Sequence, residues 1–213
     1  VREMVISAHQ PVLFPNNAFF AKMKQSDLFE LAIYDRYTSG KNLFSARMNI
    51  GSETSYEQYK LPLEKFEPFE DMIKDVKLKS GYQDDVWTAI RRSYVHFPLW
   101  NSVSSMVEDI IFSATFKYLW EFDFHAILRL KELLKIGTPI FISERPPLIS
   151  KTQDLIWMAQ KYNAQRYISG MGGKLYIDEK EFEESGIQLE YYSGKSDKCS
   201  ILTRIFNGDF TIE

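Results

Sequence analysis

Histidine is scarce in this chain, which carries His9, His96 and His125, and His9 alone sits in the stretch AHQPVLFPNNAFFAKM. An imidazole titrates close to neutral pH, so His9 has the chemistry of a general base or of a donor to a developing anion. A structural hydrogen-bonding role is the other reading of one histidine just before Gln10 and Pro11. Gln10 could orient a substrate amide or hydroxyl, or satisfy its own loop. Lys22 falls in the first turns of an expected helix, where the macrodipole favours negative charge; a bound anion or a carboxylate would explain a cation there, and a solvated lysine is the alternative. A second grouping, SGMGGKLYID (169–178), sets Gly170, Gly172 and Gly173 beside Lys174. Glycines let the backbone approach a ligand closely and Lys174 adds a cation, which suits phosphate or pyrophosphate. It is neither a P-loop nor a dinucleotide fingerprint, because Leu175 stands at the hydroxyl position and Tyr176 near the place of the third glycine. A tight turn from strand to helix is the alternative. Asp35 could hold a ribose hydroxyl or cap a turn, and Ser143 and Glu144 end the segment FISE, where a site and ordinary capping are both open.

These groups need elements to position them. EMVISA (3–8) predicts a strand that Pro11 and Pro15 bring to an end. Asn16 or Asn17 can cap a helix carrying Phe19, Phe20 and Met23, and LFELAIYD (28–35) predicts a second strand. Strand, helix and strand in that order fit a βαβ unit and a parallel sheet. Residues 36–60 predict a loop or small hairpin. Helical periodicity then runs over 83–136, with Pro98 separating the first two helices. Beyond it come a strand at 138–144, a helix at 152–162, a strand at 164–170, an acidic helix at 178–185 and a strand at 186–192. The expected fold is α/β, a mostly parallel Rossmann-like sheet with a helical insertion at 83–136, in a single domain over 1–213. Ligands of open sheets bind outside the carboxyl ends of the strands, which is where His9 falls.

Composition narrows the function classes. Hydrophobic residues are 45% and charged residues 26% of the 213, so the chain reads as an ordinary globular protein. With 26 basic against 29 acidic side chains there is no net field to attract a phosphate backbone, and nucleic acid is a disfavoured partner. The one cysteine, Cys199, forms no internal disulfide, and three scattered histidines supply no metal-ligand spacing. Apolar runs such as Ile110-Ile111-Phe112 fall far short of the roughly 20 residues of a membrane span. The start, Val1-Arg2-Glu3-Met4, lacks the pattern of a secretory signal, and a cytoplasmic protein is expected. Aromatic residues, at 15%, suit either a packed core or a face for a ligand. No cofactor is indicated.

The residues also carry a resemblance. AHQPVLFPNNAFFAKMKQSDLFELAIYD near one end, and KYNAQRYISGMGGKLYIDEKEFEESGIQLEYY with SILTRIFNG near the other, resemble the WbqC-like family. Its opening His-Gln-Pro, Phe-Pro and Phe-Phe-x-Lys pattern is matched by His9, Gln10, Pro11, Phe14, Pro15, Phe19, Phe20 and Lys22, with Ala18 where glycine is usual. Its later Tyr-x-Ser-Gly and Tyr-x-Asp elements are matched by Tyr167, Ser169, Gly170, Gly173, Lys174, Tyr176 and Asp178. The segment IYDRYTSGKNLFSARMNI departs from the family pattern but keeps Asp35 and Arg47, and the stretch between Tyr192 and Ser200 is short. The resemblance implies a group transferase acting on a nucleotide-linked or phosphorylated substrate in the biosynthesis of O-antigen and other surface glycans. In that role His9, Lys22 and Asp35 would be catalytic. Gln10, Arg47, Ser143, Glu144, Ser169, Gly170, Gly172, Gly173, Lys174 and Tyr176 would contact the substrate or its anion. The alternatives are a non-catalytic accessory subunit of a biosynthetic complex and a nucleotide or nucleic-acid modifying protein.

Overall fold

The computed structural model describes residues 2–37, 44–67, 70–144 and 150–212. Five parallel strands form the central sheet: β1 (Val5–His9), β2 (Leu28–Leu31), β5 (Ile140–Ile142), β6 (Arg166–Ser169) and β7 (Gln188–Tyr191), in the order β5-β2-β1-β6-β7. An antiparallel hairpin, β3 (Arg47–Ser52) with β4 (Ser55–Lys60), stands apart from it. The α/β class and the parallel sheet agree with the sequence, and the hairpin takes one of the two forms expected for 36–60; residues 38–43 lie outside the described residues.

Alternation along β1 explains how the sheet is covered. Val5 packs on one face with Phe29 and Leu31, while Ile6 and Ala8 pack on the other with Tyr167. The first face carries α1 (Asn17–Lys24) and the helical insertion α2 (Tyr82–Tyr94), α3 (Trp100–Phe112) and α4 (Leu119–Leu133). The second carries α5 (Lys151–Lys161) and α6 (Glu179–Ser185). A last helix, α7 (Leu202–Phe206), which the sequence did not reveal, is fastened to the insertion by stacked rings. Trp87 lies 5.6 Å from Trp100, Trp100 lies 5.4 Å from Phe206, and Phe206 lies 4.9 Å from Tyr94. Much of the aromatic content is thus spent on the core.

The strands are shorter than the sequence suggests, and for two of them, β2 and β5, the local reason is visible. β2 ends at Leu31 because the Ile33 amide donates to the Ser143 hydroxyl, 2.9 Å away, so a side chain replaces the next rung of the ladder. β5 begins only at Ile140: Pro139 has no amide to donate, and the Thr138 hydroxyl donates back to the carbonyls of Met23 and Ser26.

Candidate functional site at the sheet switch point

All five parallel strands present their carboxyl ends along one edge, and β1 is where the order turns, with β2 on one side and β6 on the other. Clefts at such a switch point are where open α/β sheets bind ligands. His9 closes β1 and Ser169-Gly170 closes β6. Two adjoining cavities, of about 450 and about 250 Å³, share His9, Lys22, Gly170 and Gly172 as walls. The larger is faced with Val12, Leu13, Phe14, Ala18, Phe19 and Met48. The smaller is faced with Gln10, Lys151, Ser169, Gly173 and Tyr176. The larger is the more apolar, although Asn16, Asn49, Ser196 and Lys198 also border it, and the smaller carries its polar groups beside Ala8, Ala32 and Leu155; this apolar and this polar lobe meet at one imidazole and one amine.

His9 is fixed as a single tautomer. Its Nδ1 lies 2.9 Å from the Gln10 carbonyl. A carbonyl only accepts, so Nδ1 carries the proton and Nε2 keeps its lone pair. The Phe19 ring meets the imidazole edge-on at 5.2 Å and holds its plane. The residue is open to the cavity, but protein surrounds the site on its other sides. Desolvation first, and the Lys22 charge second, push the His9 pKa down to about 3, while the Gln10 hydrogen bond acts weakly the other way. At neutral pH the ring is uncharged.

Lys22 is only 3% exposed. Its Nζ donates to the Ala8 carbonyl at 2.8 Å and stands 5.7 Å from the centre of the Phe29 ring. Among the described residues no carboxylate pairs with it, and burial pushes its pKa down to about 7. The macrodipole reason expected for Lys22 does not hold: α1 is a single short helix and Lys22 lies in its last turn, where a cation is favoured. What matters is that a helical side chain leans back toward the N-terminus, which carries the amine beneath the end of β1. The helix itself is set by Asn16, whose Oδ1 accepts from the Phe19 amide at 3.2 Å. Just before it, Phe14 is held at φ 43°, a left-handed conformation rare for a bulky residue. This strained turn carries the Phe14 ring into the wall of the apolar lobe.

The polar lobe has a second cation, missed in the sequence. Lys151 donates to Asp35 Oδ1 at 2.6 Å, while Gln10 Nε2 donates to Asp35 Oδ2 at 2.9 Å. Burial works against the Lys151 charge, but the Asp35 carboxylate outweighs it and raises the lysine pKa. Asp35 therefore holds Gln10 and Lys151 in place and is not itself a wall of either lobe. The signal for Lys151 was available: it opens α5 directly after the Ser150 cap, a cation against the helix dipole.

The glycine turn winds as a 3-10 helix over Met171–Leu175. Gly173 sits where a Cβ would come within 2.0 Å of the Ser169 hydroxyl, so only glycine fits. Its amide is already spent on the Gly170 carbonyl at 2.9 Å and is not free to hold a phosphate, contrary to one use expected of this turn. Lys174 lies on neither lobe: its amine rests 5.0 Å from the Tyr191 ring, beside Glu179 in a separate shallow groove. Arg47 is likewise elsewhere, on the hairpin, donating to Gln58 at 2.9 Å. Ser143 and Glu144 line a third, very small cavity with Glu30 and Asp35, and Glu144 pairs with Lys161 at 2.6 Å. Cys199 borders the apolar lobe, but burial, and then the Glu53 carboxylate, push its thiol up to about 12, leaving no thiolate at neutral pH.

Sheet and cleft together define an open parallel α/β protein with a two-lobed cleft at its switch point. The family model of the WbqC-like protein family matches residues 10–201, starting one residue after His9, and the chain belongs to that family. No curated protein and no solved structure matches it. Among the described residues, no helix is long and apolar enough to cross a membrane.

Proposed function

We propose that this protein is a group transferase acting on a phosphorylated or nucleotide-linked sugar in the assembly of cell-surface glycans such as O-antigen. The observation that carries the reading is the pairing of His9 and Lys22 at the seam of the two lobes. The polar lobe suits the anionic sugar, with Lys151 as a permanent cation and Lys22 as a titratable one. An incoming hydroxyl or amine would donate its hydrogen to His9 Nε2, which can only accept. A proton-transfer group works best with a pKa near the working pH, and of the pair it is Lys22 that meets this condition. The acid/base role expected of His9 thus passes to Lys22, with His9 aligning the nucleophile.

The test is a thermal-shift and turnover panel of nucleotide sugars and sugar phosphates, each with acyl and aminoacyl donors. The wild type should be stabilised by a sugar phosphate and form product with one donor. His9→Ala, shown folded by circular dichroism, should keep the stabilisation and lose product by about a hundredfold, the cost of a misplaced nucleophile. Stabilisation of the wild type with no turnover under any pairing would replace catalysis by an accessory binding role.

A further inference from the structure

We infer that the apolar lobe is the binding site for an aliphatic acyl chain, and that acyl is the group transferred. This rests on the transferase reading above and names the donor side of it. The lobe's volume, about 450 Å³, is that of a small-molecule site. Its inner side chains are aliphatic and aromatic, Asn16, Asn49, Tyr192 and Ser200 at its border are already engaged within the protein, and Ser196 and Lys198 stand exposed at its outer edge. Asn16 Nδ2 donates to the Asp197 carbonyl at 2.8 Å and its Oδ1 caps α1. Asn49 Nδ2 donates to the Lys198 carbonyl at 2.8 Å, and the Ser200 hydroxyl accepts from the Leu202 amide at 3.2 Å. The Tyr192 hydroxyl donates to the Lys195 carbonyl at 3.2 Å.

A nucleobase presents several donors and acceptors along its edge, and burying them against spent groups costs free energy at each one. An alkyl chain has nothing to satisfy and gains from every apolar contact. The mouth agrees with this. Met171, 52% exposed, borders the lobe, and the same turn carries Leu175 at 90%. Met171 gives a chain an exposed apolar contact at the entrance to the lobe.

At the inner end the carbonyl carbon of the chain would reach His9 and Lys22. With a thioester donor the step balances simply. The acceptor oxygen or nitrogen attacks the carbonyl carbon, a C–O or C–N bond forms, and the C–S bond breaks. The acceptor's proton leaves along its hydrogen bond to His9 Nε2, is taken up by the neutral Lys22 amine, and is then given to the departing thiolate. Cys199 at the lobe border does not serve as a covalent carrier, being a neutral thiol.

The experiment is calorimetric titration of the wild type with octanoate, uridine and glucose 1-phosphate separately, then of two lobe variants. Octanoate should bind and uridine should not compete with it. Ala18→Trp, which fills the lobe, should weaken octanoate by at least tenfold while glucose 1-phosphate still binds the polar lobe. Met48→Ala, which enlarges it, should move the best chain from octanoate toward dodecanoate, a shift that loss of folding cannot imitate. Glucose 1-phosphate binding without octanoate, or uridine displacing octanoate, would overturn the acyl assignment and leave the transferase reading intact. Octanoate binding without glucose 1-phosphate would keep the lobe assignment and remove the sugar-phosphate reading.

Discussion

Lys22 is the residue on which the proposed chemistry turns, and its burial makes a measurable demand on stability. In the unfolded chain its amine titrates at the ordinary 10.5, in the native site at about 7. Between those values the unfolded state binds more protons than the native state, so native stability rises with pH across that window and the burial penalty is full below pH 7. Replacing the amine by an apolar chain of similar length removes the penalty. Lys22→Met should therefore raise stability at pH 6, on the order of 3 kcal/mol, with the gain shrinking steadily as pH rises toward 10. Urea unfolding of both proteins at pH 6, 8 and 10 checks this, and a gain that ignored pH would show that an unseen counter-charge keeps the native amine protonated. His9 adds a window of the same sign at lower pH, between about 3 and 6.5, where stability is lost on acidification.

The element that shapes the seam is the 3-10 turn after β6. Gly172 and Gly173 are neighbours in sequence but differ in what surrounds them: a Cβ at Gly172 meets nothing within 4 Å, while one at Gly173 collides with the Ser169 hydroxyl and the Ile177 side chain. Gly173→Ala should force the turn apart and lower the melting temperature by several degrees, a loss of about 2 kcal/mol from strain and lost packing. Gly172→Ala should melt as the wild type does. Because Gly172 walls both lobes, ligand titration of that variant reports on the seam with folding held constant. Equal melting temperatures for the two variants would mean that the turn gives way cheaply and does not fix the wall.

On the scale of the whole molecule, the outer wall of the apolar lobe belongs to residues distant in sequence. The segment after β7 folds over the start of α1, with the Ile201 amide on the Pro15 carbonyl and the Ser200 amide on the Asn49 carbonyl. A buried ion pair between Arg204 and Asp197 pins that segment to α7, and Arg204 also donates to Asp209 at 3.1 Å. Removing one partner of a buried pair leaves the other charge uncompensated and costs about 3–5 kcal/mol. Arg204→Met should lose stability on that scale and speed hydrogen exchange across 192–200 while β1 and β6 remain protected. Exchange rising uniformly over the chain would instead show that the wall and the sheet unfold as one unit.

Local patterns in the sequence determined the parallel α/β order, the insertion between Pro98-separated helices, and the two ends, His9 and Ser169-Gly170, that frame the cleft. Strand alternation, caps and proline stops act over a few residues, so they can be read from neighbours alone. The tertiary structure decided which cations border the cleft. Lys22 and Lys174 look alike in sequence, yet one amine is buried under β1 and the other lies outside on Tyr191. Lys151 gained its place only when α5 set it against Asp35, more than a hundred positions earlier. The apolar lobe was illegible for a related reason: Leu13, Phe14 and Met48 have the signature of core residues. Only the packing of distant segments decides whether such side chains enclose one another or enclose a space, since burial and charge partnership are properties of contacts that sequence spacing does not encode.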